Sequence, residues 1–119
     1  MISARALDRP APLTLVNTFH MGGAIGDLDP EETAFAERSA PFMVSIDGLW
    51  SDAADDAETV AWVRSAWEEV RDFGNGAVYL NFTGLANEDP GAGVDTAFGR
   101  NLHRLERVKA VYDPDNLFH

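Results

Sequence analysis

Val60, Val63, Trp67, Val70 and Phe73 recur at intervals of three or four residues with polar and charged residues between them. That spacing lines up one face of an α-helix and no face of a strand. Ser51 to Asp56 supplies capping oxygens and first-turn acid ahead of the run. Gly74-Asn75-Gly76 ends it, because glycine tolerates the left-handed cap conformation. The neighbouring segments keep the other period. Leu13 to His20 alternates, and so does a second strand opened by Pro41, with Phe42, Val44 and Ile46 on one side and Met43, Ser45 and Asp47 on the other, running on toward Leu49 and Trp50. Beyond the helix, Ala77 to Phe82 reads as a third strand, with Val78, Leu80 and Phe82 on one face and Tyr79 and Asn81 on the other. A second helix is expected from an Asp95 cap through Leu102, Leu105, Val108 and Tyr112 to the stop at Asp113-Pro114. Residues 116–118 are apolar enough to dock back on the body. Gly22 to Glu32 and Thr83 to Gly93 are glycine-bearing loops. The order strand, loop, strand, helix, strand, helix predicts an α+β fold: a small mixed or antiparallel sheet with two helices packed on one face. So small a sheet has an open face or edge that calls for a partner.

At 119 residues, 45% of them hydrophobic, the chain has room for one core and reads as a single domain over residues 1–119. Its formal net charge of −11 excludes nucleic acid as an expected partner, since phosphate binding needs a Lys/Arg surface. The charge is uneven: residues 1–95 hold 17 acids against 5 bases, and residues 96–119 hold 3 against 4. Only the last segment could meet an anionic surface, and a solvated helix with i,i+4 charge pairs is the plainer reading of it. Cysteine is absent, which removes disulfides, thiolate metal sites and cysteine nucleophiles and fits a reducing compartment. Neither a membrane span nor a secretion signal is visible, so a cytoplasmic location and no membrane partner are expected.

Most site patterns are missing. His20, His103 and His119 lie far apart with no HExxH context, which argues against zinc. No serine sits in a GxSxG elbow, and the single lysine, Lys109, is in no phosphate loop. Gly22-Gly23-Ala24-Ile25-Gly26 lacks the GxGxxG spacing and is followed by acids that would repel a pyrophosphate. Tyr79 and Asn81 differ in kind, a phenol and an amide sharing one strand face, and can present a proton donor or acceptor beside a hydrogen-bonding group. On spacing alone the plainer reading is a tyrosine at a sheet edge with its hydroxyl in water.

Longer patterns bear on that choice. Tyr79-Leu80-Asn81-Phe82, Ala97-Phe98-Gly99-Arg100-Asn101, Arg104-Leu105, Val108-Lys109 and Tyr112-Asp113-Pro114-Asp115-Asn116-Leu117-Phe118 together resemble the C-terminal segment of berberine-bridge-enzyme-like FAD-linked oxidases of the vanillyl-alcohol-oxidase type. Upstream, Gly22-Gly23-Ala24, Thr33-Ala34-Phe35 with Arg38, Trp50 and Trp62-Val63-Arg64 resemble the preceding half of that family's substrate domain. The resemblance divides the chain into a substrate-domain-like half, residues 12–75, and a berberine-bridge-like segment, residues 76–119. It implies that Tyr79 serves as catalytic base beside a small-molecule substrate, with Asn81 and Asn101 near the flavin. It implies FAD only together with an FAD-binding domain or subunit, whose glycine-rich segment is not among these residues. Two other readings stay open: a flavin-independent binding or homodimerising module, and a small cofactor-free enzyme using Tyr79 with His20 or Arg104.

Overall fold

The computed structural model of the chain describes residues 2–83 and 93–118. It is a mixed α+β structure divided into two compact units, one of residues 1–21 and 41–76, the other of residues 22–40 and 77–119. Most of the loop expected over Thr83 to Gly93 lies outside the described residues.

The first unit contains helix α1 (Ile2–Leu7), strands β1 (Leu15–His20) and β2 (Phe42–Asp47) and helix α2 (Asp56–Arg71). The two strands pair antiparallel, from Leu15 opposite Asp47 to His20 opposite Phe42. Both were legible from their alternation. The helix is also the expected one, but it turns a different face inward. Thr59, Trp62 and Ala66 are its buried residues, whereas Trp67 is 40% and Phe73 78% exposed. Val60, Val63 and Val70 of the expected stripe are half-buried, and Val63 lies against Gly48, just past the end of β2. A β-carbon on Gly48 would stand 2.8 Å from Val63 Cγ2 and 3.1 Å from Thr59 Cγ2. Gly48→Ala is therefore expected to destabilise this unit by about 1–3 kcal/mol, the usual cost of overpacking, as a lowered midpoint in urea unfolding.

Polar contacts tie the unit together at its edges. Asp47 accepts from Asn17 Nδ2 at 2.8 Å and from Ser45 Oγ at 2.7 Å, and the fully buried Thr14 hydroxyl faces both the N–H and the C=O of Leu49 at 3.3 Å. Helix α1, which no sequence pattern marked, is held to α2 by Arg5. Its guanidinium pairs with Glu69 and donates to Ser65 Oγ at 2.8 Å. That pairing lowers the Glu69 carboxyl and raises Arg5.

The second unit is irregular. Its regular parts are helices α3 (Val94–Phe98) and α4 (Leu102–Tyr112), with single 3₁₀ turns at Gly23–Ile25, Leu80–Phe82 and Gly99–Asn101. Three expectations need correction here. Residues 77–82 form no strand: the backbone closes into the Leu80–Phe82 turn, with Phe82 N–H donating to Tyr79 C=O at 2.9 Å and Thr83 Oγ1 to Leu80 C=O at 2.9 Å. A strand needs a ladder partner, and the only described pairing is β1 with β2. The second helix is broken at Gly99, whose φ of +48° is accessible to glycine and disfavoured for residues with a β-carbon, and its cap is Gly93 rather than Asp95.

The third correction concerns the tail, because Leu117 and Phe118 are exposed rather than docked by apolar contact. Asp113 holds them instead, accepting from the N–H groups of Leu117 at 2.7 Å and Phe118 at 3.1 Å while pairing with Lys109. Lys109 foremost, and then these two amides, keep the Asp113 carboxyl below its usual range against the opposing effect of burial. A depressed carboxyl stabilises the tail fully above about pH 3.9, the ordinary aspartate value. It loses that contribution as the pH falls through the lower folded value. Amide exchange at Leu117 and Phe118 is accordingly expected to quicken in strong acid, and Asp113→Asn to lose the ion pair at every pH. Among the described residues no helix is long and apolar enough to cross a membrane.

Candidate functional site

Tyr79 and Asn81 meet, though not by strand alternation. Tyr79 is the extended residue ahead of the Leu80–Phe82 turn, and Asn81, the middle residue of the turn, donates from Nδ2 to the Tyr79 hydroxyl oxygen at 2.8 Å. The phenol's own proton is thereby left for another acceptor. Tyr79 stays 37% exposed, so the pair is reachable from solution. Two further rings surround it. Phe35 stands perpendicular to Tyr79 at 5.7 Å between centroids, and Phe82 lies at 5.3 Å and 84°. Both are in the edge-to-face range that favours aromatic pairs. Alternation had assigned Phe82 to the opposite, core-facing side. The signal for Phe35 was its place beside Ala34 in the pattern upstream.

Asn101 lies elsewhere in the unit and does a different job. It is 4% exposed and donates both amide protons to backbone carbonyls, Pro30 at 2.7 Å and Thr33 at 2.9 Å. One turn on, Arg104 Nη1 donates to the Glu31 carbonyl at 2.9 Å. Together they clamp the 30–33 segment onto the start of α4. Asn101→Ala is expected to cost about 1–3 kcal/mol, two hydrogen bonds at their usual net worth, with water satisfying the surface carbonyls. Asn101→Asp should cost at least as much, since an acceptor would then face two acceptors. Thermal unfolding of both variants checks the order.

A shallow cavity of about 150 Å³ opens beside this clamp, lined by Glu32, Asn101, Arg104 and Val108 among others, and Tyr79 does not line it. The first unit has a hollow of about 290 Å³ between Leu13, Leu49, Trp50 and Asp55 that holds none of the expected site residues. His20, in the first unit, packs against Phe42 at 5.5 Å. The described residues contain no cluster of three or more metal-ligating side chains.

The surroundings of Tyr79 belong to a sequence that matches known proteins. The family model described as berberine and berberine like matches residues 78–119. The chain carries a berberine-like segment. That segment includes Tyr79, Asn81, Asn101 and the Asp113 turn. The chain, over 103 residues or 83% of its length, is 34% identical to the FAD-linked oxidoreductase sorD of Penicillium rubens. It is 28% identical to the monolignol oxidoreductase AtBBE-like 13 of Arabidopsis thaliana, covering 96% of the chain. It spans 21% and 23% of those two proteins, about a fifth of the curated relatives' length. Its fold is similar to that of GilR, an oxidoreductase that catalyzes the terminal step of gilvocarcin biosynthesis, solved in complex with pregilvocarcin. There the TM-score is 0.76 at 24% identity, covering 99% of this chain and 27% of that one.

Proposed function

We propose that this chain supplies the substrate-covering portion of an FAD-linked oxidoreductase and completes a flavin and substrate pocket together with an FAD-binding domain or subunit. The observation that carries the reading is the reachable Tyr79–Asn81 pair inside the berberine-like segment. The described residues fit a flavin only in part. Tyr79, Asn81 and Phe82 offer a phenol, an amide and a ring to a flat partner. The loop after Gly22-Gly23-Ala24 is acidic, the 150 Å³ cavity is lined by Glu31 and Glu32, and a dinucleotide needs both more room and donors for its phosphates. The FAD cradle therefore belongs to the other portion.

When bound, a flavin supplies the hydride acceptor. The tasks left to this chain are to orient and to handle a proton. Asn81, by donating to the Tyr79 oxygen, fixes where the phenol sits. Once its own proton has passed to an acceptor, Tyr79 as the phenolate takes the proton of a substrate hydroxyl or amine as general base. Asn101 contributes by holding the loop that carries Phe35.

A chimera tests this: the present chain replaces the matched portion of the Arabidopsis monolignol oxidoreductase. The chain alone, mixed with FAD and passed through gel filtration, is expected to elute without flavin, and the chimera with it. A chimera that folds and retains no flavin would refute the reading. A second reading, a flavin-independent dimerising module, draws on exposed Leu15, Phe19 and Phe42 of the two-stranded sheet. Light scattering on the chain alone checks it, since a stable dimer is the result it requires.

A further inference from the structure

Arg38 is an unusual cation for so acidic a chain. Twenty acids stand against nine bases, yet among the described residues no carboxylate lies within ion-pair distance of it; the salt bridges there involve Arg5, Arg71, Arg100, His103 and Lys109. Its guanidinium donates instead to two neutral oxygens, the Ile25 carbonyl at 2.7 Å and the Thr33 hydroxyl. Its Nε is buried without a hydrogen-bond partner. Most buried donors are satisfied, so this guanidinium keeps its pose through two neutral acceptors at the cost of one open donor. Its Cζ lies over the ring of Phe35, 5.3 Å from the centroid, within cation–π range. Phe35 in turn stands at 90° to Tyr79.

We propose that Arg38 is a positioning residue for Tyr79, acting through the ring of Phe35. The two neutral acceptors fix the fork, the fork fixes Phe35, and Phe35 with Phe82 fixes the angle at which the phenol meets its partner. Thr33 joins the network from the other end, because its carbonyl is one of the two that Asn101 holds. The chain of contacts thus runs from the start of α4 through the loop to the phenol. This role rests on the assignment of Tyr79 as the reactive group, but the placement of the ring can be read without flavin or substrate.

The test labels tyrosine at Cζ with carbon-13 in the full chain. It has two tyrosines, Tyr79 and Tyr112, and Tyr112→Phe assigns the two signals. Arg38→Met and Phe35→Leu are each expected to move the Tyr79 signal by more than its linewidth and to leave Tyr112 in place. Arg38→Lys, which keeps a cation over the ring and loses the planar fork, should move it less than Arg38→Met. An unmoved Tyr79 signal in Arg38→Met would overturn the proposal, and so would equal movement of both tyrosines, the mark of a general structural loss. If Arg38→Met does not fold, Arg38→Lys decides alone: it must move Tyr79 and spare Tyr112. The chimera experiment is separate: loss of flavin there with the Cζ shifts intact would refute the flavin reading and leave the positioning network standing.

Discussion

Tyr79→Phe, placed in the flavin-retaining chimera, is expected to slow flavin reduction by a monolignol about 10²–10⁴-fold, the usual contribution of a positioned general base. That is about 3–5 kcal/mol of barrier. The change should act on the chemical step alone. Phenylalanine keeps the ring that meets Phe35 and Phe82 edge-on and removes only the oxygen to which Asn81 donates. Asn81 is exposed, so water replaces that acceptor, and stability should stay within about 0.5 kcal/mol, as for surface substitutions generally. Stopped-flow absorbance under anaerobic conditions reads the rate. A full rate with Tyr79→Phe would remove Tyr79 from the proton transfer and leave it a packing residue.

The second large effect concerns the first unit. Trp62→Ala is expected to cost about 3–5 kcal/mol, as truncating a buried aromatic side chain does, a large share of the 5–15 kcal/mol typical of whole domains. Trp62 is 9% exposed and lies with Thr59 and Ala66 on the face that α2 buries. Its indole N–H has no hydrogen-bond partner, which separates volume from polarity. Trp62→Phe keeps most of the volume and removes the orphaned donor, so it should cost far less, about 0.5–2 kcal/mol. Urea unfolding followed by circular dichroism distinguishes the two. Equal losses would mean that the indole N–H finds a partner in solution.

The structure adds that Leu15–His20 pairs with Phe42–Asp47; that both segments are strands was legible in the sequence, because alternation over six residues admits little else. The existence and length of α2 were legible for the same reason at the other period. Its buried face was not. Val60, Val63, Trp67 and Val70 form the more apolar stripe, yet Thr59, Trp62 and Ala66 are the buried residues, because tertiary packing and not the helix's own pattern decides which side of it is covered. Residues 77–82 alternate well and still form no strand, since pairing partners are a property of the whole sheet and not of the segment. Tyr79 and Asn81 were picked out correctly as neighbours for the wrong geometric reason. Arg38 and Phe35 had no periodicity to mark them, and their relation to Tyr79 exists only across 41 or more residues of sequence.

The interleaving of the two units has a consequence for how the chain is made. Residues 22–40 belong with residues 77–119, while the chain on either side of them belongs to the other unit. Everything the first unit requires has been synthesised once Gly76 emerges, whereas the excursion between Met21 and Pro41 must wait for most of the 43 residues that follow. At ordinary elongation speeds that wait lasts about 2–9 s, far longer than a helix or hairpin takes to form. During it, Phe35 and Arg38 have neither Tyr79 nor the Asn101 clamp to rest against. A stalled ribosome or a premature stop after residue 76 would leave a first unit with its paired strands joined by an unanchored loop, which is where a protease should cut first.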